Sequence, residues 1–344
     1  MSDNPETSGS FHAEYEAELT RASADELNIR RRRRGRGFSY IDRRGNAIRA
    51  KAALERIAKL AIPPAYEEVR ISSDPTSHLQ AVGRDAAGRW QHRYHESWTD
   101  IREAKKFGRL AQLVDALPRI RQAVRRDMAS ARLDRRKALA CAVAILDETH
   151  IRVGCEAYVR TSGARGAATL LKHQTVLARD QVRLSFRGKG GARFRCIVAD
   201  SRLARALGRL SELPGRRLLQ YRDEDGAVGT IQAPDINAYL KDISRAPITA
   251  KDLRMLAANA LAAQQFAEME PEANDTKRRR QIVFVMRTVA EKLGNTPAVT
   301  RKSYVHARVV QAFEDGSLAK LLRRSRSAGQ RKRSESLVRK LIRG

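Results

Sequence analysis

The spacing of apolar residues changes twice along this chain, and each change marks a boundary. Up to residue 29 there is no period, only polar and acidic side chains such as Asp3, Glu6, Glu14, Glu16 and Glu18. Residues 1–29 are therefore expected to be a disordered acidic tail. Strand-like residues begin at Phe38-Ser39-Tyr40-Ile41, behind a basic run that reaches Arg36. Leu54, Ile57 and Leu60 then follow helical spacing. Ile62-Pro63-Pro64 ends that helix, since proline cannot continue it and biases its predecessor away from helical geometry. Short segments follow at Val69–Ile71, His78–Val82 and Trp90–Tyr94, with a turn between Asp85 and Gly88. Residues 30–100 thus read as a small mixed β domain.

Beyond residue 100 helical spacing takes over, and residues 101–322 read as a larger, mainly helical domain. Between Leu133 and Ile151, the side chains of Leu139, Val143 and Leu146 share one face. Val182, Leu184 and Phe186 alternate, Gly188-Lys189-Gly190-Gly191 turns, and Phe194, Cys196 and Val198 alternate again. That pattern predicts a β-hairpin with a glycine-rich tip. Thr249-Ala250-Lys251-Asp252 resembles a capping box ahead of an Ala/Leu-rich helix to Phe266. Another helix runs from Ile282 to Leu293 and closes at Gly294. Residues 323–344 are expected to be a basic tail. The fold class is α+β.

Charge changes the picture more than size does. The 344 residues carry 68 Lys+Arg against 39 Asp+Glu, a formal charge of +29. Basic residues spread along the whole chain suit a groove that follows phosphates and gains affinity by releasing counterions. No run approaches the roughly 20 apolar residues of a membrane span, so no membrane association is expected. Cys141, Cys155 and Cys196 lack metal-ligand spacing and read as reduced, packed thiols of a cytoplasmic protein. No metal and no cofactor are expected, because neither a ligand cluster nor a nucleotide-binding fingerprint is present.

Four positions carry candidate chemistry. Arg152 follows Thr149-His150-Ile151, Lys189 sits at the hairpin tip, and Arg254 lies in the first two turns of the capped helix. Tyr304 is expected in the first turn of a helix capped by Thr300. Each has a bland reading: a solvated arginine, an exposed turn lysine, a half-buried packing tyrosine. The ordered set outweighs them.

That set resembles the type IB DNA topoisomerases in their compact poxvirus-like form, also found in bacteria. The resemblance runs from about residue 30 to 320. It rests on Ala61-Ile62-Pro63-Pro64-Ala65-Tyr66, His78-Leu79-Gln80-Ala81-Val82-Gly83-Arg84-Asp85, Gln91-His92-Arg93-Tyr94-His95, Ile151-Arg152-Val153-Gly154 and Thr169-Leu170-Leu171-Lys172-His173. Phe186-Arg187-Gly188-Lys189, Lys251-Asp252-Leu253-Arg254 and the stretch from Leu293 to Tyr304 complete it.

The resemblance implies that Tyr304 attacks a phosphodiester of double-stranded DNA and forms a 3′-phosphotyrosyl link. It implies that Arg152 and Arg254 hold the non-bridging oxygens and that Lys189 is the general acid for the leaving 5′-oxygen. Where poxvirus enzymes and tyrosine recombinases place a histidine nine residues before the tyrosine, this chain has Asn295. An amide can donate to a phosphate oxygen but cannot shuttle a proton, so Asn295 is expected to be a phosphate ligand only. Gln80, Tyr94, Lys172, His173 and Arg187 are candidate DNA contacts. The expected enzyme is a monomer, associated with the nucleoid, that relaxes supercoils without ATP. A tyrosine recombinase or a non-enzymatic basic DNA-binding protein is the alternative.

Overall fold

A computed structural model describes residues 19–323 and 329–343. The chain divides into two compact units, residues 1–106 and 107–344. The expected tail over residues 1–18 lies outside the described residues.

In the first unit, β1 (Ile29–Arg34), β2 (Gly37–Ile41), α1 (Lys51–Lys59), β3 (Glu67–Ile71), β4 (Leu79–Arg84) and β5 (Trp90–Tyr94) follow one another. The strands form an antiparallel sheet ordered β2-β1-β3-β4-β5. Ile57 of α1 joins Ile29, Val69, Ile71 and Ala81 in its core. Chain expected to be disordered is held here. His78 N donates to Thr20 O at 2.8 Å, and Leu27 packs with Leu79 and Val82. Ordered structure therefore begins before residue 29, because one leucine and a few backbone bonds anchor an otherwise polar segment.

The second unit begins inside α2 (Glu96–Ala129), which leads to α3 (Arg135–Thr149) and α4 (Glu156–Ser162). A three-stranded sheet of β6 (Thr175–Leu177), β7 (Val182–Arg187) and β8 (Arg193–Val198) precedes α5 (Ser201–Ser211). The small ribbon β9 (Gln220–Arg222) and β10 (Val228–Thr230) comes next. Then come α6 (Ala233–Ser244), α7 (Ala250–Ala267), α8 (Asp275–Leu293), α9 (Pro297–Ser303), α10 (Ala307–Glu314), α11 (Ser317–Arg323) and α12 (Gln330–Arg343). α3 and α7 are the buried helices: Ala138 to Leu146 and Leu253 to Ala258 lie inside the core. A hydrophobic stripe on every side is what a central helix requires.

α12 replaces the expected basic tail. Leu337, Val338 and Leu341 are buried on its inner face, which packs on α7 and α10. Its Arg331 donates to Asp147 Oδ1 at 2.5 Å and to Glu148 Oε1 at 2.7 Å. Arg121 of α2 reaches Glu335 of α12 at 2.6 Å and Asp147 at 2.9 Å. The charges that suggested a free tail instead fasten a helix to the end of α3.

Candidate active site

The site is assembled where α3, α7 and α8 end or begin. α3 stops at His150, whose left-handed backbone (φ 56°) turns the chain outward. The next residues, Ile151-Arg152-Val153-Gly154, lie against a second glycine. Ala167 N donates to Arg152 O at 2.9 Å and Ala168 N to Val153 O at 2.8 Å. A Cβ on Gly166 would sit 2.2 Å from Arg152 O, and Gly154 adopts φ +77°. Only glycine permits so close a backbone approach, and that approach fixes the root of the Arg152 side chain.

Arg254 is 4% exposed and projects from the first turns of α7. The start of that helix is locked as expected: Thr249 N donates to Asp252 Oδ2 at 2.9 Å. The Arg254 guanidinium donates to His150 O, to Leu293 O and, at 3.0 Å, to Asn295 Oδ1. The Arg152 guanidinium donates twice to Gly294 O at 3.1 Å and to Asn295 Oδ1 at 2.5 Å. Two cations thus share the last carbonyls of α8, the negative end of its helix dipole, and one amide oxygen. Burial, then the Arg152 charge, pulls Arg254 down to about 10, which leaves it a cation at neutral pH. Burial lowers Arg152 too. Asn295 Nδ2 is buried without a partner among the described residues.

Tyr304 lies elsewhere on its helix than expected. α9 is capped by Thr296, whose Oγ1 accepts from Val299 N at 3.3 Å, and Thr300 is buried within it. Tyr304 is the residue after its last turn, with φ −120°. Both threonines precede a helix-forming stretch, and Pro297 at the first helical position decides for Thr296. The ring sits under Arg254, with Cζ 5.7 Å from its centroid.

Asn259 holds the tyrosine's backbone and was not singled out from the sequence. It is fully buried, donating to Tyr304 O at 2.7 Å and accepting from His306 N at 2.8 Å. Its signal was an amide inside the apolar run Ala257-Ala258-Asn259-Ala260, five residues after Arg254. α7 therefore carries both the arginine and the clamp that sets the tyrosine beside it.

A cleft of about 320 Å3 brings Arg152, Lys189, Arg254 and Tyr304 together, with Arg165 and Lys251 also on its walls. Arg165 was likewise not singled out; its Nη1 donates to Thr169 O at 2.8 Å. Lys189 is exposed between Gly188 and Gly190, and Gly190 and Gly191 both take positive φ.

The other expected residues divide. Gln80 is 2% exposed, and its amide donates to Asp74 O, Pro75 O and Ser77 O while accepting from Arg56. It braces the first unit from inside. Tyr94 is 38% exposed at the end of β5, beside the rings of His78 and His92. Lys172 donates its ammonium to Leu213 O, whereas His173 is exposed. Arg187 is exposed at the end of β7, and its guanidinium lies over Gly191.

A central buried helix thus presents an arginine and pins a tyrosine, and both share a cleft with the lysine of a glycine-tipped hairpin. Residues 95–328 match the family described as the catalytic core of eukaryotic DNA topoisomerase I, and residues 37–85 match the N-terminal domain of bacterial DNA topoisomerase IB. The chain is 29% identical to DNA topoisomerase 1B of Acanthamoeba polyphaga mimivirus over 294 residues, covering 83% of this chain and 88% of that one. It is 21% identical to DNA topoisomerase 1B of vaccinia virus over 241 residues, 70% of this chain and 74% of the other. A solved XerH site-specific recombinase bound to its difH substrate overlaps with a TM-score of 0.35 at 16% identity, over 59% of this chain and 52% of that one. The chain belongs to the type IB DNA topoisomerase family; it is an isomerase, and its partner is DNA.

Proposed function

We propose that this enzyme relaxes supercoiled duplex DNA by cutting one strand through Tyr304, letting the cut end rotate, and resealing it. The Tyr304 Oη–P bond forms as the P–O5′ bond breaks, leaving a 3′-phosphotyrosyl link and a 5′-hydroxyl. The phenol proton passes to solvent, and Lys189 supplies a proton to the departing 5′-oxygen. Arg152 and Arg254 would hold the non-bridging oxygens, since a planar guanidinium fork matches them and stays charged. Asn295 Nδ2 is a further donor for the same phosphate. The reaction runs backward on religation, because the energy of the broken bond is kept in the phosphotyrosine; neither ATP nor a metal is then needed. Superhelical strain drives the rotation, and the enzyme works as a monomer on nucleoid DNA in the cytoplasm.

The observation that carries this reading is the convergence of two guanidiniums on one amide oxygen, with one of them, Arg254, stacked over the tyrosine ring. Plasmid relaxation in EDTA without ATP tests it. Stepwise relaxation by wild-type protein, absent from Tyr304→Phe, is the expected result. Exchange of strands between two sites would instead identify a recombinase, and salt-sensitive binding without relaxation would leave only a DNA-binding protein.

A further inference from the structure

The sheet behind Lys189 has an outer face that the cleavage reading does not use. Its inner face is apolar: Val182, Leu184, Phe186 and Val198 are buried, and the sheet packs on α3 and α5. The alternation of β strands sends the remaining side chains outward. On β7 these are Arg183, Ser185 and Arg187; on β8 they are Arg193, Arg195 and Ile197, all exposed.

Register turns this list into a pattern. Arg187 is paired with Arg193, Ser185 with Arg195, and Arg183 with Ile197. Directly opposed side chains lie about 5 Å apart, and like charges there destabilise a sheet. None of the four arginines forms an ion pair with a carboxylate among the described residues. A fold that merely needed a soluble sheet face would interleave glutamate or threonine. Four uncompensated guanidiniums on two adjacent strands persist at a cost to the free protein, and a polyanion removes that cost.

We infer that this arginine-studded face is a rail for the phosphate backbone of the duplex flanking the cut. The occupant follows from charge complementarity and from continuity with the hairpin tip, where Arg187 ends β7 two residues before Lys189. Along β8 the outward Arg193 and Arg195 are about 6.6–6.8 Å apart, which lets adjacent guanidiniums engage successive phosphates without reading bases, while on β7 Ser185 separates Arg183 from Arg187. The exposed Val176 and Ile197 close the far end of the face. Placement of the flank rests on the cleavage reading, which sets Lys189 at the scissile phosphate; the rail itself is tested independently of it.

The test uses full-length Tyr304→Phe protein, in which binding is measured without any covalent product. Arg183→Gln, Arg193→Gln and Arg195→Gln are combined, and affinity for a blunt duplex is followed against salt. Each lost phosphate contact should flatten the log–log slope by about 0.9, so the triple variant should be shallower by about 2–3 and bind at least about tenfold more weakly near 0.15 M salt. Its melting temperature without DNA should hold or rise, since opposed like charges are relieved. A matched variant, Arg202→Gln, Arg205→Gln and Arg209→Gln on the exposed face of α5, controls for net charge. An unchanged slope, a loss no greater than the control's, or a lowered melting temperature in the sheet variant would overturn the proposal. Preserved DNA binding with lost capture of an acidic protein would reassign the face to a protein partner and overturn it equally.

Discussion

The two walls of the cleft are built on opposite principles. On one, Arg254 is 4% exposed and each guanidinium is tied to backbone carbonyls and to Asn295. On the other, Lys189 stands exposed on a glycine turn. The difference matches the tasks proposed for them. Donors that stabilise charge on phosphorus work best when fixed before the reaction, since no reorganisation is then needed as charge develops. A proton donor must approach a leaving oxygen and withdraw, which a turn without Cβ crowding permits.

If the comparison holds, Lys189→Ala should slow single-turnover cleavage by about 10²–10⁴, the usual range for a general acid, while thermal melting stays unchanged. A substrate with sulfur at the bridging 5′ position, a leaving group that needs no acid, should recover most of that rate. Arg254→Ala should cost about 10²–10³ in cleavage and, unlike the lysine variant, should also destabilise the protein by about 1–3 kcal/mol by stranding buried acceptors. Equal melting of the two variants would erase the distinction between the walls. Asn259→Leu removes the clamp on Tyr304 without touching a phosphate. A shift of the tyrosine by about 1 Å should slow cleavage by up to about 10², with DNA affinity in the Tyr304→Phe background unaltered.

The smallest effect concerns the fixed wall alone. His150, whose carbonyl receives Arg254, is half-buried near Arg331 and Arg254, and desolvation first, then the Arg331 charge, pushes its imidazole down to about 4. The unfolded chain, with a value near 6.5, binds more protons between those limits, so stability falls as pH drops from about 6.5 to about 4. The loss is bounded by about 3 kcal/mol. Denaturant titrations across that window should show it, and His150→Gln should flatten the profile.

The candidate site was legible as an ordered set of motifs rather than from the local context of any one residue. Arg152, Lys189 and Arg254 each had a bland local reading, and only their ordered resemblance to one family singled them out; the fold brings all three into one cleft with Tyr304. What failed required knowledge of the third dimension. His78–Val82 read as a short strand, but both faces of β4 are buried, and the Gln80 side chain there accepts from Arg56. Thr300 was read as the cap of the Tyr304 helix, but Pro297 at its first position starts the helix one turn earlier, behind Thr296. In the last 22 residues, net charge masked the helical spacing of Leu337, Val338 and Leu341, because the arginines there find carboxylates on α3 that sequence distance hides. Asn259 was visible as an amide in an apolar helix, yet its partners lie 45 and 47 residues away.

The most direct measurement is to trap the enzyme on a nicked duplex whose cut strand loses its 5′ end, digest the adduct, and sequence the nucleotide-bearing peptide. The attachment should fall on Tyr304, at a 3′-phosphate, and vanish in Tyr304→Phe. Attachment to any other side chain, or to a 5′-phosphate, would contradict the account.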